Sequence, residues 1–413
     1  MRGLVGIAAL LALAWILSEG RRRIAWRVVI GGVGLQAALA LLLIRLPGAA
    51  TLFLWIDHGV EALQAAADAG TRFVFGYLGG GPAPYDETHP ENSFVLAFRA
   101  FPLVLVISAL ASLLFHWGVL QRVVAAFAWC LRRSMGVGGA LGLGAAVHVF
   151  VGMTESPLLI RPYLATMSRG ELFALMSCGM AGIAGTMMVL YATILGPVIP
   201  DALANILIAG VISTPAALAI GGLMIPFRPD PASEQRLILP DPPVSTMDAL
   251  VKGTFDGVAL LVGIVVMLLV MVSLVALANM ALSALPAWGD APVTLARLFA
   301  LVFRPLVWLI GVDWAETAQA ASLMGTKTVL NEFTAYLDLA HLPPDALSPR
   351  ARLIMTYALC GFANFGSVGI LAGGVGAMVP ERRAEVVELA LRSLVSGTLA
   401  TLSSGAMAGL IAG

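Results

Sequence analysis

Two polar runs, Gly152-Met-Thr-Glu-Ser-Pro157 and Gly325-Thr-Lys-Thr-Val-Leu-Asn-Glu332, interrupt sequence that is otherwise apolar enough for a hydrocarbon environment. Each glycine is followed at the same interval by Tyr-Leu, at Tyr163-Leu164 and Tyr336-Leu337. Farther on, each reaches a matching run, Cys178-Gly-Met-Ala181 and Cys360-Gly-Phe-Ala363. Aligning Cys178 with Cys360 also superposes Gly182-Ile-Ala-Gly185 on Asn364-Phe-Gly-Ser367. Agreement in spacing at two separated points argues for an internal duplication over chance similarity of Gly/Ala-rich helices. A carboxylate inside an apolar span is costly, so its default reading is functional.

Composition sets the environment. The chain has 413 residues, 59% hydrophobic and 12% charged, with a mean hydropathy of +0.93. So little charge cannot cover a soluble surface, and the expected fold class is an all-α polytopic membrane protein. The formal net charge is zero and no basic stripe occurs, which argues against a nucleic-acid partner. Cys130, Cys178 and Cys360 lie in or beside apolar segments without disulfide or metal spacing, and read as small packing residues. The first apolar run, Leu4 to Leu17, follows Arg2 and precedes Arg21, Arg22, Arg23 and Arg27. With no small-residue cleavage site closing it, it reads as an uncleaved helix whose C-terminal end faces the cytoplasm.

Eight segments are expected to span the bilayer, over about 3–19, 27–47, 94–119, 171–192, 199–226, 256–283, 352–376 and 387–411. Eight crossings put Arg21 to Arg27, Arg122, Arg132, Arg133, Arg228, Arg236, Arg382 and Arg383 inside, and Asp86, Glu87 and Glu91 outside; Arg350 and Arg352 run against that count. The stretches 137–166 and 296–337 are broken by glycine and proline, and read as two re-entrant hairpins. Segment 51–78 reads as an amphipathic interfacial helix, and 228–247 as a cytoplasmic loop. Four regions follow: 1–136, N-terminal transmembrane and scaffold helices; 137–226, a first hairpin-helix-helix repeat; 227–295, the loop and a scaffold helix; 296–413, a second repeat. The halves start from opposite sides, so the repeat is inverted, a layout of secondary transporters.

Half-helix ends meeting at mid-membrane expose backbone amides and carbonyls that replace water around a polar ligand. Glu155 and Glu332 supply directed acceptors, Thr154, Asn364 and Ser367 neutral donors and acceptors, and Phe362 and Phe365 flat apolar faces. Such a mixture suits a neutral, polar, partly aromatic solute and repels an anion. Alternatives stand open: Glu332 or Glu155 as a structural pair with Lys327 or Arg161, Asn364 and Ser367 as the cap of a helix break, and the phenylalanines as packing. An intramembrane enzyme and a passive channel are weighed and set aside. No metal cluster, serine–histidine arrangement or pair of facing aspartates is apparent, and a hairpin repeat is not a continuous pore.

At Gly152-x-Thr-Glu-Ser-Pro157, Gly325-Thr-Lys-x-Val-x-Asn-Glu-Phe333 with Ala335-Tyr336, and Cys360-Gly-Phe-Ala-Asn-Phe-x-Ser367, the chain resembles the concentrative nucleoside transporters. The resemblance covers about Phe94 to the C-terminus. It implies a homotrimer in the cell inner membrane, eight spanning helices and two re-entrant hairpins per protomer, and cation-driven nucleoside uptake. A mobile transport region would slide against a scaffold, and no cofactor is implied. By that likeness Thr154 and Glu155 face the base, Glu332 and Asn364 hold the ribose hydroxyls, Ser367 lies beside them and Phe362 packs on the sugar.

Departures matter as much. Met153 replaces the family's usual glutamine and gives up an amide donor and acceptor. His148 and Gly182 stand where sodium-coupled members carry asparagine and serine, beside backbone carbonyls at positions matching Val151 and Ile183. Hard sodium prefers oxygen, whereas imidazole titrates near neutral pH, so proton coupling is favoured over sodium and no metal site is certain. Sodium-coupled symport and transport of a nucleobase or another neutral solute are the alternatives.

Overall fold

The computed structural model describes residues 2–45, 47–86, 95–153, 155–228, 242–286 and 292–412, and contains no strand among them. The N-terminal helices are α1 (Arg2–Ile16), α2 (Trp26–Arg45), α3 (Pro47–Phe75), α4 (Leu96–Arg99), α5 (Leu103–His116) and α6 (Val119–Met135). A first broken series follows: α7 (Gly139–His148), α8 (Glu155–Leu159), α9 (Arg161–Leu164), α10 (Arg169–Ala181), α11 (Gly185–Leu195) and α12 (Ala202–Met224). Then come α13 (Thr246–Leu282) and α14 (Leu295–Leu309). A second broken series closes the chain: α15 (Thr317–Val329), α16 (Glu332–His341), α17 (Pro349–Leu359), α18 (Phe365–Met378) and α19 (Arg383–Ala412).

Five helices among the described residues are long and apolar enough to cross a bilayer: Trp26–Arg45, Leu96–His116, Ala202–Met224, Thr246–Leu282 and Pro380–Ala412. Two of the expected continuous spans differ. Segment 171–192 is two helices parted at Gly182-Ile-Ala184, and 352–376 is two helices parted at Cys360 to Asn364. Backbone groups freed at such depth need partners, and here the second break and the first hairpin supply them to the first break. The Phe362 amide donates to the Gly182 carbonyl at 3.1 Å, and the Gly185 amide donates to Phe150 at 3.1 Å. The expected hairpin over 296–337 is also redrawn. Its first part is a separate amphipathic helix, α14, capped by the Thr294 hydroxyl and ended by Gly311 at φ +117. Pro305 lies within α14, which folds back on α15 so that Ala296 lies beside Gly325, and the chain turns again between α15 and α16, at Leu330-Asn331.

Packing follows the order of the two series. α10 and α12 pack together as α17 and α19 do; α11 meets α12 as α18 meets α19; α11 meets α16 as α18 meets α8. Exchanging the halves maps each contact onto another, the pattern a pseudo-twofold produces. α2 lies against α12 and α19, where a fully satisfied polar knot ties the three helices. The Ser403 hydroxyl donates to Gln36 Oε1 at 3.0 Å, Gln36 Nε2 donates to Ser404 at 3.2 Å, and Ser404 and Ser213 share a 3.0 Å bond. Such a knot fixes which faces meet where hydrophobicity alone would not discriminate.

α13 stands apart from this body. Gly253 and Gly257 let it approach α5 so closely that a Cβ on Gly257 would lie 2.9 Å from Ser108 Cβ. Its remaining circumference exposes Phe255, Val262, Val266, Leu269 and Leu277. α1 and α2 pack on α12 and α19, whereas α5 packs mainly on α13.

Candidate functional site

Every polar group at the centre is positioned by a helix start. α15 ends at Leu330, whose amide still reaches Thr326 at 2.8 Å. Asn331 is extended and caps α16, its Oδ1 accepting from the Thr334 amide at 2.9 Å and the Thr334 hydroxyl at 3.0 Å. That cap leaves Glu332 as the first residue of α16, where the helix N-terminus favours negative charge. Glu155 holds the same first position in α8.

Glu332 is 4% exposed. Its Oε1 accepts from the Tyr191 hydroxyl at 2.6 Å, and its Oε2 from Asn364 Nδ2 at 3.0 Å. Asn364 in turn caps α18, with Oδ1 accepting from the Ser367 amide at 2.7 Å. Because Oδ1 is committed to the cap, Nδ2 must face the carboxylate. One amide thus both caps α18 and donates to the carboxylate. Lys327 is fully buried, but its ammonium donates to the Ala358 carbonyl at 2.9 Å and Thr401 Oγ1 at 3.0 Å, and it forms no ion pair with Glu332. No ion pair joins Glu155 to Arg161 among the described residues.

A cavity of about 590 Å³ gathers Gly152, Met153, Glu155, Asn331, Glu332, Phe362, Asn364 and Ser367 on one side. Its other wall is α13, through Asp256, Ala259, Leu260, Gly263, Ile264 and Leu268. The two acidic residues share this space although they come from different halves. Thr154 lies outside the described residues. Phe362 is half-buried and Met153 buried, so both present apolar surface to the cavity.

The residues considered for the cation lie behind it. His148, the last residue of α7, is 2% exposed, and neither ring nitrogen has a hydrogen-bond partner. Glycines make room for the ring: a Cβ on Gly179 would sit 3.3 Å from Nε2, and one on Gly182 3.6 Å from Nδ1. The Gly182 carbonyl already accepts from Phe362, Ile183 is fully buried, and the Val151 amide reaches Val147 at 3.1 Å. No group of three His, Cys, Asp or Glu fit to hold a metal ion occurs among the described residues.

Sequence reasoning missed three contributors. Tyr191 reads as one more apolar residue in a spanning segment, yet its hydroxyl holds the central carboxylate and its ring stacks on Tyr336 at 5.1 Å. Asn331 was visible only as part of a motif. Asp256 sits on a helix read as scaffold, and its approach to the cavity is a tertiary fact with no local signal.

Comparison with known proteins agrees with this architecture. Family models described as the C-terminus and N-terminus of Na+-dependent nucleoside transporters match residues 205–409 and 5–78, and one described as nucleoside recognition matches 97–198. A transporter of Haemophilus influenzae is 36% identical over 436 residues, covering 100% of this chain and 98% of the relative. Nucleoside permease NupC of Helicobacter pylori is 31% identical over 415 residues, covering 99% and 97%. The solved structure of CNTnw in an inward-facing substrate-bound state superposes with a TM-score of 0.87 at 33% identity, covering 99% of this chain and 97% of that one. These relatives are membrane transporters and not enzymes. With two crossed helix breaks, paired acidic helix starts and matching models along its length, the chain belongs to the concentrative nucleoside transporter family.

Proposed function

We propose that this protein imports nucleosides across the bacterial inner membrane by symport with a cation, as a homotrimer, with a proton favoured as the coupling ion. The observation that carries the substrate reading is the state of Glu332. A carboxylate has about four lone-pair sites, and Tyr191 and Asn364 use two of them. The remainder can accept from two adjacent hydroxyls, the arrangement that a ribose 2′,3′-diol offers. The Asn364 amide and Ser367 hydroxyl lie beside the same position, and Phe362 offers a flat face to the sugar. Glu155, Met153 and Thr154 form the base side; methionine there replaces directed hydrogen bonds by adaptable contact, which favours loose base selectivity.

The proton reading rests on His148, Val151, Gly182 and Ile183. Imidazole is a poor ligand for a hard cation, and it is the side chain whose ordinary titration range lies near neutral pH. The sodium reading draws on the family models, whose descriptions name that ion. Uptake of radiolabelled uridine into proteoliposomes, with sodium and proton gradients imposed separately, tests both. We expect accumulation under an outside-acid gradient alone. Accumulation that needs sodium and ignores protonophores overturns proton coupling, and a lack of saturable uridine uptake where labelled uracil accumulates overturns the nucleoside reading.

A further inference from the structure

The end of the molecule where α1 finishes, α2, α10 and α19 begin and α12 ends carries a second concavity, which shares no lining residue with the nucleoside cavity. It measures about 780 Å³ and is lined by Glu19, Arg22, Arg23, residues 168–171 and the segment Ile225 to Arg228. Its floor is rigid. The Glu19 amide donates to the Met224 carbonyl at 2.9 Å. Gly170 packs so tightly that a Cβ there would lie 2.8 Å from the Ile225 and Pro226 carbonyls.

The charges lining it are unequally engaged. Glu19 is taken by Arg169 at 3.0 Å and Arg392 at 2.5 Å. Glu171 is turned back into its own capping box, accepting from the Ser168 amide and hydroxyl at 2.8 Å each. Arg21 is also committed, to the Ile16 carbonyl at 2.7 Å and over the Trp15 ring at 4.9 Å. Arg22, Arg23 and Arg228, by contrast, form no hydrogen bond or ion pair among the described residues. Three uncommitted guanidinium groups thus face a concavity in which Glu19 is ion-paired and Glu171 is held in its own cap. The start of the 13-residue helix α10 opens onto the same space, and a helix N-terminus adds favourable potential for an anion.

We propose that this concavity binds a phosphate-bearing anion through Arg22, Arg23 and Arg228. Guanidinium forks match phosphate oxygens in geometry as well as charge. Two sources share that chemistry: the headgroup of an anionic phospholipid in the adjoining leaflet, and a soluble phosphate compound. The position of the arginines at the end of the apolar helix α12, the level at which headgroups lie, suits the first. The proposal is independent of the transported solute.

Native mass spectrometry of the full-length chain in detergent tests it, with phosphatidylglycerol, phosphatidylcholine and inorganic phosphate as probes. The wild-type chain is expected to retain phosphatidylglycerol saturably over phosphatidylcholine. Each arginine facing an anionic headgroup is worth roughly a factor of five, so the combined variant Arg22→Gln, Arg23→Gln, Arg228→Gln should bind about a hundredfold more weakly. The corresponding lysine variant keeps the charge, provides a check on folding, and should lose far less. Phosphate binding that needs the same three arginines, without lipid preference, supports the site and assigns it to a soluble ligand. Equal retention of the two lipids without arginine-dependent phosphate binding, or anion binding unchanged in the glutamine variant, overturns the proposal. So does an equal loss in Arg132→Gln, Arg133→Gln, which lies on α6 outside the concavity, because the effect would then be diffuse charge alone.

Discussion

At the scale of single residues, the site separates charge from scaffolding in a way that mutations can resolve. Glu332→Gln keeps the shape and removes the charged acceptor; a hydrogen bond to a charged group is worth ~1.5–3 kcal/mol. Uridine uptake should fall at least 10- to 150-fold, and undiminished uptake would remove Glu332 from the binding site. Asn364 allows a finer cut because its two ends do different work. Serine is as good a helix cap as asparagine, so Asn364→Ser should leave the melting temperature near wild type while weakening uridine binding. A matched loss of both would mean that the residue is only a cap. Tyr191→Phe withdraws the donor from Glu332 Oε1 and should weaken binding about tenfold. Glu332 and Asn364 were legible in sequence because a polar side chain in an apolar span calls for an explanation. Tyr191 was not, because an aromatic ring in such a span is ordinary and its hydroxyl partner lies 141 positions away.

At the scale of elements, the long helices α2, α12, α13 and α19 were legible from apolar length, but the breaks within 171–192 and 352–376 were read as continuous spans. Hydropathy averages over a turn of helix and cannot register a reversal of backbone direction that non-local hydrogen bonds compensate. The bond from Phe362 to Gly182 joins the two breaks across the halves, while Gly185 is held by Phe150 of its own half. Gly361 marks the crossing: a Cβ there would lie 2.9 Å from the Ala181 carbonyl, 3.0 Å from Met180 and 2.7 Å from Thr401 Cγ2. Gly361→Ala must therefore push the broken helices apart, an overpacking worth ~1–3 kcal/mol. The expected outcome is a lower melting temperature together with weakened uridine binding, since both carboxylate-bearing hairpins lean on this crossing. A melting temperature equal to wild type would show that the crossing is slack. The second hairpin shows the complementary limit. Pro305 and Gly311 were both read as interruptions of one hairpin, yet proline is accommodated within α14 and only Gly311, with its positive φ, ends a helix.

For the whole molecule, the proposed symport requires a route by which a cation gradient reaches the solute. The cavity has one wall from the crossed breaks and one from α13, and α13 belongs to the α5 pair and not to the knot of α2, α12 and α19. His148 lies on the side of the breaks, against Gly179 of α10 and Gly182 of the first break, so in the proposed symport a proton at His148 and a solute at Glu332 would share one packed body. Coupling requires that the body move readily only when both sites are filled or both are empty. For one proton carried per neutral solute, each unit of imposed pH difference can support about tenfold accumulation, because 1.36 kcal/mol is a factor of ten. His148→Gln removes the titratable group while filling much of the same volume. It should abolish accumulation under an outside-acid gradient, leaving uridine to equilibrate by exchange, and solute affinity should change little because the imidazole does not line the cavity. A variant that still accumulates uridine tenfold per pH unit would shift the proton to Glu332 or Glu155. In that event Glu155→Gln, whose carboxylate reaches the cavity from the opposite half, becomes the substitution that uncouples the two fluxes.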